Sequence, residues 1–177
     1  MLGLKRGTVK LAKAHDEWAQ LFEKEKQLLL DTLKDRIIAI EHVGSTAIKG
    51  VPAKPIIDIR IAVSSLDDSY IKGFIAPLEK LGYSYMHKYL DRHFFAKGPE
   101  ENRTHHISIV KAGSDSWNDA ILFRDYLRNN KQTREEYASL KQKLAKQFSE
   151  DRASYTKAKE EFIQKIIEQA KFANRPR

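Results

Sequence analysis

Two β-branched runs, residues 36–43 and 56–63, joined by a loop of small side chains and prolines, constrain this 177-residue chain more than any other feature. Ile37, Ile38 and Ile40 mark the first run as a strand that stops at Gly44. The second run, from Ile56 to Val63, is the most apolar strand of the chain. Pro52 and Pro55 bracket the loop between them, because each lacks an amide proton and restricts the residue before it. Asp58 and Arg60 interrupt the second strand two residues apart, so their side chains point to one face.

The rest of the chain supplies further strands and the helices to cover them. Residues 1–10 read as a loosely held arm ending in a short strand or turn. From Asp16 to Leu33 the apolar positions Trp18, Leu21, Phe22, Leu28 and Leu29 recur at helical spacing, with Asp16 as the expected N-cap. A second helix is expected over 67–81, closed by Gly82. Strands follow over 83–90 and 92–97, turning near Asp91, and over 104–111 after a charged turn at 99–103. From Trp117 to Phe172 the pattern is helical, with breaks near Asn129-Asn130 and Glu150-Asp151, and the tail 174–177 is expected to fray. This order predicts an α+β fold: a small mixed β-sheet with helices packed on it and a C-terminal helical portion. We read 1–177 as one domain, with a sheet-containing core to about residue 115 and helices over about 116–173.

Composition narrows the setting. No apolar stretch reaches membrane-spanning length, and the opening Met-Leu-Gly-Leu-Lys-Arg lacks the apolar region of a signal peptide. Cysteine is absent, which excludes disulfides and thiolate metal sites. The expectation is a cytoplasmic protein without a membrane partner. Lys and Arg total 32 against 24 Asp and Glu, a formal charge of +8 that favours anionic partners or marks a lysine-rich solvated surface.

Candidate chemistry gathers around the strand–loop–strand unit. A glycine after a strand lets the backbone approach a ligand, and Ser45 and Thr46 add hydroxyls suited to phosphate oxygens. Gly44-Ser45 also serves as an ordinary turn. Asp58, set among isoleucines, needs a cation: Lys54, Arg60, another base or a bound metal. Arg92-His93 lies on one later strand and His105-His106 on the next. Adjacent strand residues point to opposite faces, so only one of His105 and His106 can share a site with Asp58. A neutral imidazole there can hold a metal or phosphate, act as a general base, or pack across strands. Arg124 and Arg128 share a helix face beside the core stripe Phe123, Tyr126 and Leu127. They suit a polyphosphate tail or form a solvated basic face. Lys141, Lys157 and Lys159 are expected to face solvent, and Tyr137, Leu140 and Leu144 to lie in the core.

Several stretches together resemble the GrpB family, which is assigned to the DNA polymerase β-like nucleotidyltransferase superfamily. They are residues 42–47 (His-Val-Gly-Ser-Thr-Ala), 50–59 (Gly-Val-Pro-Ala-Lys-Pro-Ile-Ile-Asp-Ile), 92–97 (Arg-His-Phe-Phe-Ala-Lys) and 103–106 (Arg-Thr-His-His). Residues 123–128 (Phe-Arg-Asp-Tyr-Leu-Arg), 137–141 (Tyr-Ala-Ser-Leu-Lys) and 155–159 (Tyr-Thr-Lys-Ala-Lys) continue the match in order. The resemblance implies a nucleotidyltransferase-like sheet, with Gly44 and Ser45 at the end of the first core strand and Asp58 on the next. Superfamily enzymes carry a second acid two residues later and a third on a subsequent strand, and use them to hold two divalent ions. Here Arg60 stands at the second acidic position, and no Asp or Glu lies within 104–111. The family also tends to carry a histidine where this chain has Ser108.

The resemblance implies a protein that binds a nucleotide or another phosphorylated small molecule. Gly44, Ser45, Thr46, Lys54, Arg92, His93, Arg103, His106, Arg124 and Arg128 are the expected phosphate-binding residues. Asp58 and Arg60 are the expected catalytic pair, with Asp58 as the ligand of Mg²⁺ or Mn²⁺ if nucleotidyl transfer occurs. A non-catalytic nucleotide or coenzyme-precursor sensor is the alternative, since related domains are fused to some dephospho-CoA kinases. An RNA-binding module is the second alternative, and the aromatic strand motif of common single-strand binders is missing.

Overall fold

In the computed structural model, which describes residues 2–173, the β-branched runs pair as antiparallel neighbours at one side of a five-stranded sheet. Strands β1 (Ala39–Val43), β2 (Ile57–Val63), β3 (Tyr83–Lys88), β4 (His93–Lys97) and β5 (His105–Lys111) take the spatial order β1-β2-β5-β4-β3. β2 and β5 run parallel and the other pairs antiparallel, so the sheet is mixed, as expected. The helices are α1 (His15–Leu33), α2 (Asp68–Lys80), α3 (Asp115–Asn129), α4 (Lys131–Gln147), α5 (Arg152–Lys157) and α6 (Glu160–Ala173).

Alternation along the strands gives the sheet two unlike faces. Ile57, Ile59 and Ile61 of β2 register with His105, Ile107 and Ile109 of β5, and the latter with Lys97, Phe95 and His93 of β4. This face packs on Phe22, Leu29 and Leu33 of α1 and on Ile71, Phe74 and Leu78 of α2, forming the main core. A buried polar knot sits within it. Glu25 of α1 accepts hydrogen bonds from Tyr83 (2.9 Å) and Lys97 (2.8 Å), with His105 Nε2 at 4.0 Å. On the other face Asp58 registers with His106, Arg60 with Ser108, and Ala96 and Phe94 continue the rows. The C-terminal helices build a second core with the 44–55 loop, in which Ile48 and Val51 meet Phe123, Leu127, Tyr137 and Ile166.

Several local expectations change. Asp16 is not the N-cap of α1; Ala14 holds that position, and Asp16 sits in the first turn, where its charge favours the helix dipole. Leu28 points outward at 47 % exposure rather than into the core. The first strand begins at Ala39 because Lys34, at φ 49°, ends α1 and a 3₁₀ turn occupies residues 34–36. After Gly44 the chain makes a single 3₁₀ turn, Ser45–Ala47, before the loop continues. The C-terminal region breaks where expected and once more at 158–159. The arm is tied down by bridges from Leu4 to Arg103 and from Ala12 to Ala53. The tail 174–177 lies outside the described residues, and among those described no helix is long and apolar enough to cross a membrane.

Candidate functional site

The polar face of the sheet forms one wall of an open cleft of about 1570 Å³, and the loop 44–55, α4, α5 and the turn after α5 form the other. Asp58 stands on its floor. Its Oδ1 is 3.2 Å from Nδ1 of His106, one strand away in register. The structure thus selects His106, not His105, to share a site with Asp58. Asp58 does not pair with Arg60, whose guanidinium donates instead to the carbonyl (2.6 Å) and hydroxyl (2.7 Å) of Ser116 at the start of α3.

Burial pushes the Asp58 carboxyl up. The His106 hydrogen bond and the charges of His106, Lys54 and Arg152 outweigh it and hold the group at about 2. Burial also holds the His106 imidazole below its ordinary value, against the pull of Asp58, so the ring is largely neutral near pH 7. Gly44 is needed beside them. Its φ is +69°, and a Cβ there would lie 2.7 Å from Asp58 Oδ2.

Two lysines that sequence reasoning left in solvent line this cleft. Lys141 of α4 is only 2 % exposed, with Nζ 5.4 Å from the centre of the Tyr137 ring. Lys159 is half-buried, with Nζ 4.3 Å from the centre of the Tyr155 ring, and Lys54 approaches the same ring at 5.6 Å. Lys157, by contrast, is exposed as expected, at the cleft rim. Arg152 at the start of α5 completes the group. Burial, reinforced by the neighbouring cations, lowers Lys54 to about 7 and Lys159 to about 8, and holds Lys141 well below its ordinary value. A readable signal existed: Tyr137 to Lys141 and Tyr155 to Lys159 repeat one spacing, Tyr-x-x-x-Lys. Within α4 that spacing brings the lysine stem alongside the ring one turn back, and the turn after α5 does the same for Lys159.

The structure brings some of the expected residues together and leaves others apart. Gly44, Ser45, Thr46, Lys54, Asp58 and His106 meet in the cleft. The Thr46 hydroxyl, however, is 2.9 Å from His42 Nε2 and committed there. Arg92 lies on the far wall, 4.2 Å over the Tyr89 ring and bonded to Asp91. Arg103 lines the cleft but donates to the Gly98 carbonyl, which fixes the hairpin end. His93 faces the opposite side of the sheet, between the Tyr85 hydroxyl (3.0 Å) and the Leu66 carbonyl (3.1 Å). Arg124 is buried outside the cleft, held by Glu41 (2.5 Å), Asp125 (2.7 Å) and the His42 carbonyl (2.8 Å). Arg128 donates to the Ala47 carbonyl at 2.8 Å, bracing the turn after Gly44 from behind.

The residues around Asp58 do not fit a pair of divalent ions. Mg²⁺ favours several hard oxygen ligands. Asp58 offers one carboxylate, already bonded to His106, and the charges of Lys54, Lys141, Lys159 and Arg152 all interact with it. Arg60 stands where a second acid would be needed. Among the described residues no group of three or more His, Asp or Glu side chains is placed to hold a metal.

Residues 8–169 match the family model described as GrpB protein. The chain belongs to the GrpB family. It is 40 % identical over 173 residues to the glutamate-rich protein GrpB of Alkalihalophilus pseudofirmus, a match covering 94 % of this chain and 98 % of that one. The crystal structure of the conserved protein GrpB from Enterococcus faecalis superposes with a TM-score of 0.82 at 32 % identity, over 91 % of this chain and 96 % of that one. The Cid1 poly(U) polymerase superposes with a TM-score of 0.54 at 14 % identity, over 77 % of this chain and 44 % of its own. That likeness concerns the fold, which in this GrpB-family chain is nucleotidyltransferase-like.

Proposed function

We propose that the cleft binds a nucleotide or another phosphorylated small molecule, with its phosphate groups among Lys54, Lys141, Lys159 and Arg152. The observation that carries this reading is Lys141. An ammonium at 2 % exposure with no acidic partner among the described residues is costly unless an anion joins it. Three further cations beside it, along the low-dielectric walls of the cleft, focus a positive potential on that point. The far wall, with Phe94, Met86 and Tyr89, offers apolar and aromatic surface for the rest of a ligand.

The test is calorimetric titration of nucleoside phosphates and coenzyme A precursors into the wild-type protein and Lys141→Met. Saturable binding that the substitution weakens at least about tenfold supports the reading. Failure of every phosphorylated compound to bind, or binding indifferent to Lys141, rejects it. Tight retention of RNA alone, lost steeply with salt, would move the assignment to a nucleic-acid module.

A catalytic extension rests on the Asp58–His106 pair. Asp58 orients the ring through Nδ1, which leaves Nε2 of a neutral imidazole to accept a proton from an attacking hydroxyl. In nucleotidyl transfer that oxygen would bond to the α-phosphorus as the bond to pyrophosphate breaks. Release of pyrophosphate abolished by His106→Ala, with ligand binding retained, is the expected signature. Turnover unchanged in that variant excludes the role.

A further inference from the structure

With its lysines protonated, the inner end of the cleft carries more positive charge than one phosphate can neutralise. Lys54, Lys141, Lys159 and Arg152 come from three segments, and none forms an ion pair among the described residues. Asp58 is the carboxylate whose charge reaches all four. Four cations less that one carboxylate leave three positive charges when all are protonated. A phosphate monoester brings only about −1.5 to −2. Two or three linked phosphate groups are required to balance the site. A divalent ion would instead add to the surplus, beside a carboxylate already bonded to His106.

Resting on the phosphate-binding reading above, we propose that the inner cleft holds a linear di- or triphosphate directly on Lys54, Lys141, Lys159 and Arg152, without a bridging divalent cation, and that the lysines gain protons as it binds. Side-chain cations thereby take the place that metal ions occupy in the superfamily pattern. The cleft around the three lysines is lined by Asp58 on β2, His106 on β5, Tyr137 on α4, Arg152 and Tyr155 on α5, Arg6 of the arm, and Glu150, Asp151, Lys157 and Glu160 around α5; among these carboxylates Asp58 is the one whose charge acts on all three lysines. The Lys141 charge also reaches His15 at the start of α1.

Proton uptake follows from what surrounds the amines before and after binding. In the free protein, burial and mutual repulsion hold Lys54 at about 7, Lys159 at about 8 and Lys141 well below its ordinary value. A polyphosphate placed against them favours their charged forms and raises all three. Protons are therefore taken up in the window between the free and bound values. Affinity falls as pH rises through that window, because the lysines must then be charged from a neutral state.

The experiment is calorimetry with inorganic triphosphate, ATP, ADP and AMP, each with EDTA and then with Mg²⁺. Two buffers of different ionisation enthalpy are used, near pH 7 and near pH 9. Expected are binding of triphosphate and ATP in EDTA, AMP weaker by at least about tenfold, and a buffer-dependent heat that reports proton uptake. Lys141→Met and Lys159→Met should each weaken triphosphate by about 10- to 100-fold, the range of a charge-assisted contact. Unchanged melting temperatures, or higher ones, verify that these variants fold. An absolute need for Mg²⁺, equal affinity for AMP and ATP, or heat independent of buffer would each overturn the inference while leaving the phosphate cleft intact. Failure of every phosphorylated probe would remove both readings together.

Discussion

Replacing Lys141 with methionine should make the protein more stable and less able to bind. The side chain is 2 % exposed, its ammonium lies near the Tyr137 ring, and no carboxylate pairs with it among the described residues. Leaving an unpaired neutral polar group in an apolar setting costs about 1–3 kcal/mol by mutational precedent, and a charged one more, so the amine sheds its proton more readily here. Methionine keeps the length of the stem, and its sulfur makes a favourable contact with an aromatic ring of about 0.3–1.5 kcal/mol. We expect a gain of about 2 kcal/mol near neutral pH. For a chain of 177 residues each kcal/mol moves the melting temperature by about 2–4 °C, so the shift is roughly 4–8 °C upward.

The pH dependence carries the diagnostic sign. Burial lowers the folded value of Lys141 below its ordinary 10.5, so the unfolded chain binds more protons throughout the interval between them. Wild-type stability therefore rises with pH across that interval, and the cost is fully present only below the folded value. The advantage of Lys141→Met should be largest near pH 6 and shrink towards pH 10. Melting by fluorimetry over that range, with calorimetry on the same samples, measures both halves. A melting temperature that falls by several degrees, or a gain independent of pH, would show that the ammonium is satisfied within the protein and refute the reasoning.

Three other outcomes follow from the geometry. Asp58→Asn should lower the melting temperature near neutral pH, by an amount that fades as pH falls from about 4 towards 2, since the folded carboxyl stays charged down to about 2; an acid-insensitive difference would count against the charge argument. Gly44→Ala should cost about 1–3 kcal/mol through its φ of +69° and the 2.7 Å approach to Asp58 Oδ2, read from urea midpoints. Arg124→Met should cost about 1–3 kcal/mol, chiefly through the lost hydrogen bonds of the buried guanidinium, because Glu41 and Asp125 at 39 % and 44 % exposure stay solvated, yet leave triphosphate affinity within about twofold; a selective loss of affinity would place Arg124 in the site instead.

Much of the sheet was legible because its signals are local. The isoleucines that alternate along β2 fix its buried face, and the same alternation puts Asp58 and Arg60 together on the other. That one of His105 and His106 would join Asp58 followed from the pleat, but which one depended on the β2–β5 register, a pairing of residues 48 apart. Arg124 and Arg128 lie outside the cleft for a related reason. Arg124 reads as one of an exposed basic row until Glu41, 83 residues earlier, arrives to bind it. Lys141 and Lys159 were missed, although Lys54 was not, because lysine is ordinarily a surface residue and their burial depends on how α4 and α5 dock. Arg60 was visible as a departure from an acidic pair, whereas its partner Ser116 was not, because the start of α3 reaches the sheet only in the folded chain.

The arm at residues 4–12 stitches early and late parts of the chain into one rim. Its Leu4 and Ala12 bridge to residues 103 and 53, the amide of Val9 donates to the Ser149 carbonyl, and the Gly7 carbonyl accepts from the Arg152 amide. All five strands precede α4 and α5 in the chain, so the residues of the sheet are made before those that close its cleft. Asp58 and His106 are therefore made before three of the four inner cations, Lys141, Arg152 and Lys159. The cleft is thus closed by elements that follow the sheet in the chain, and Gly7, whose carbonyl accepts from the Arg152 amide, ties α5 to the arm.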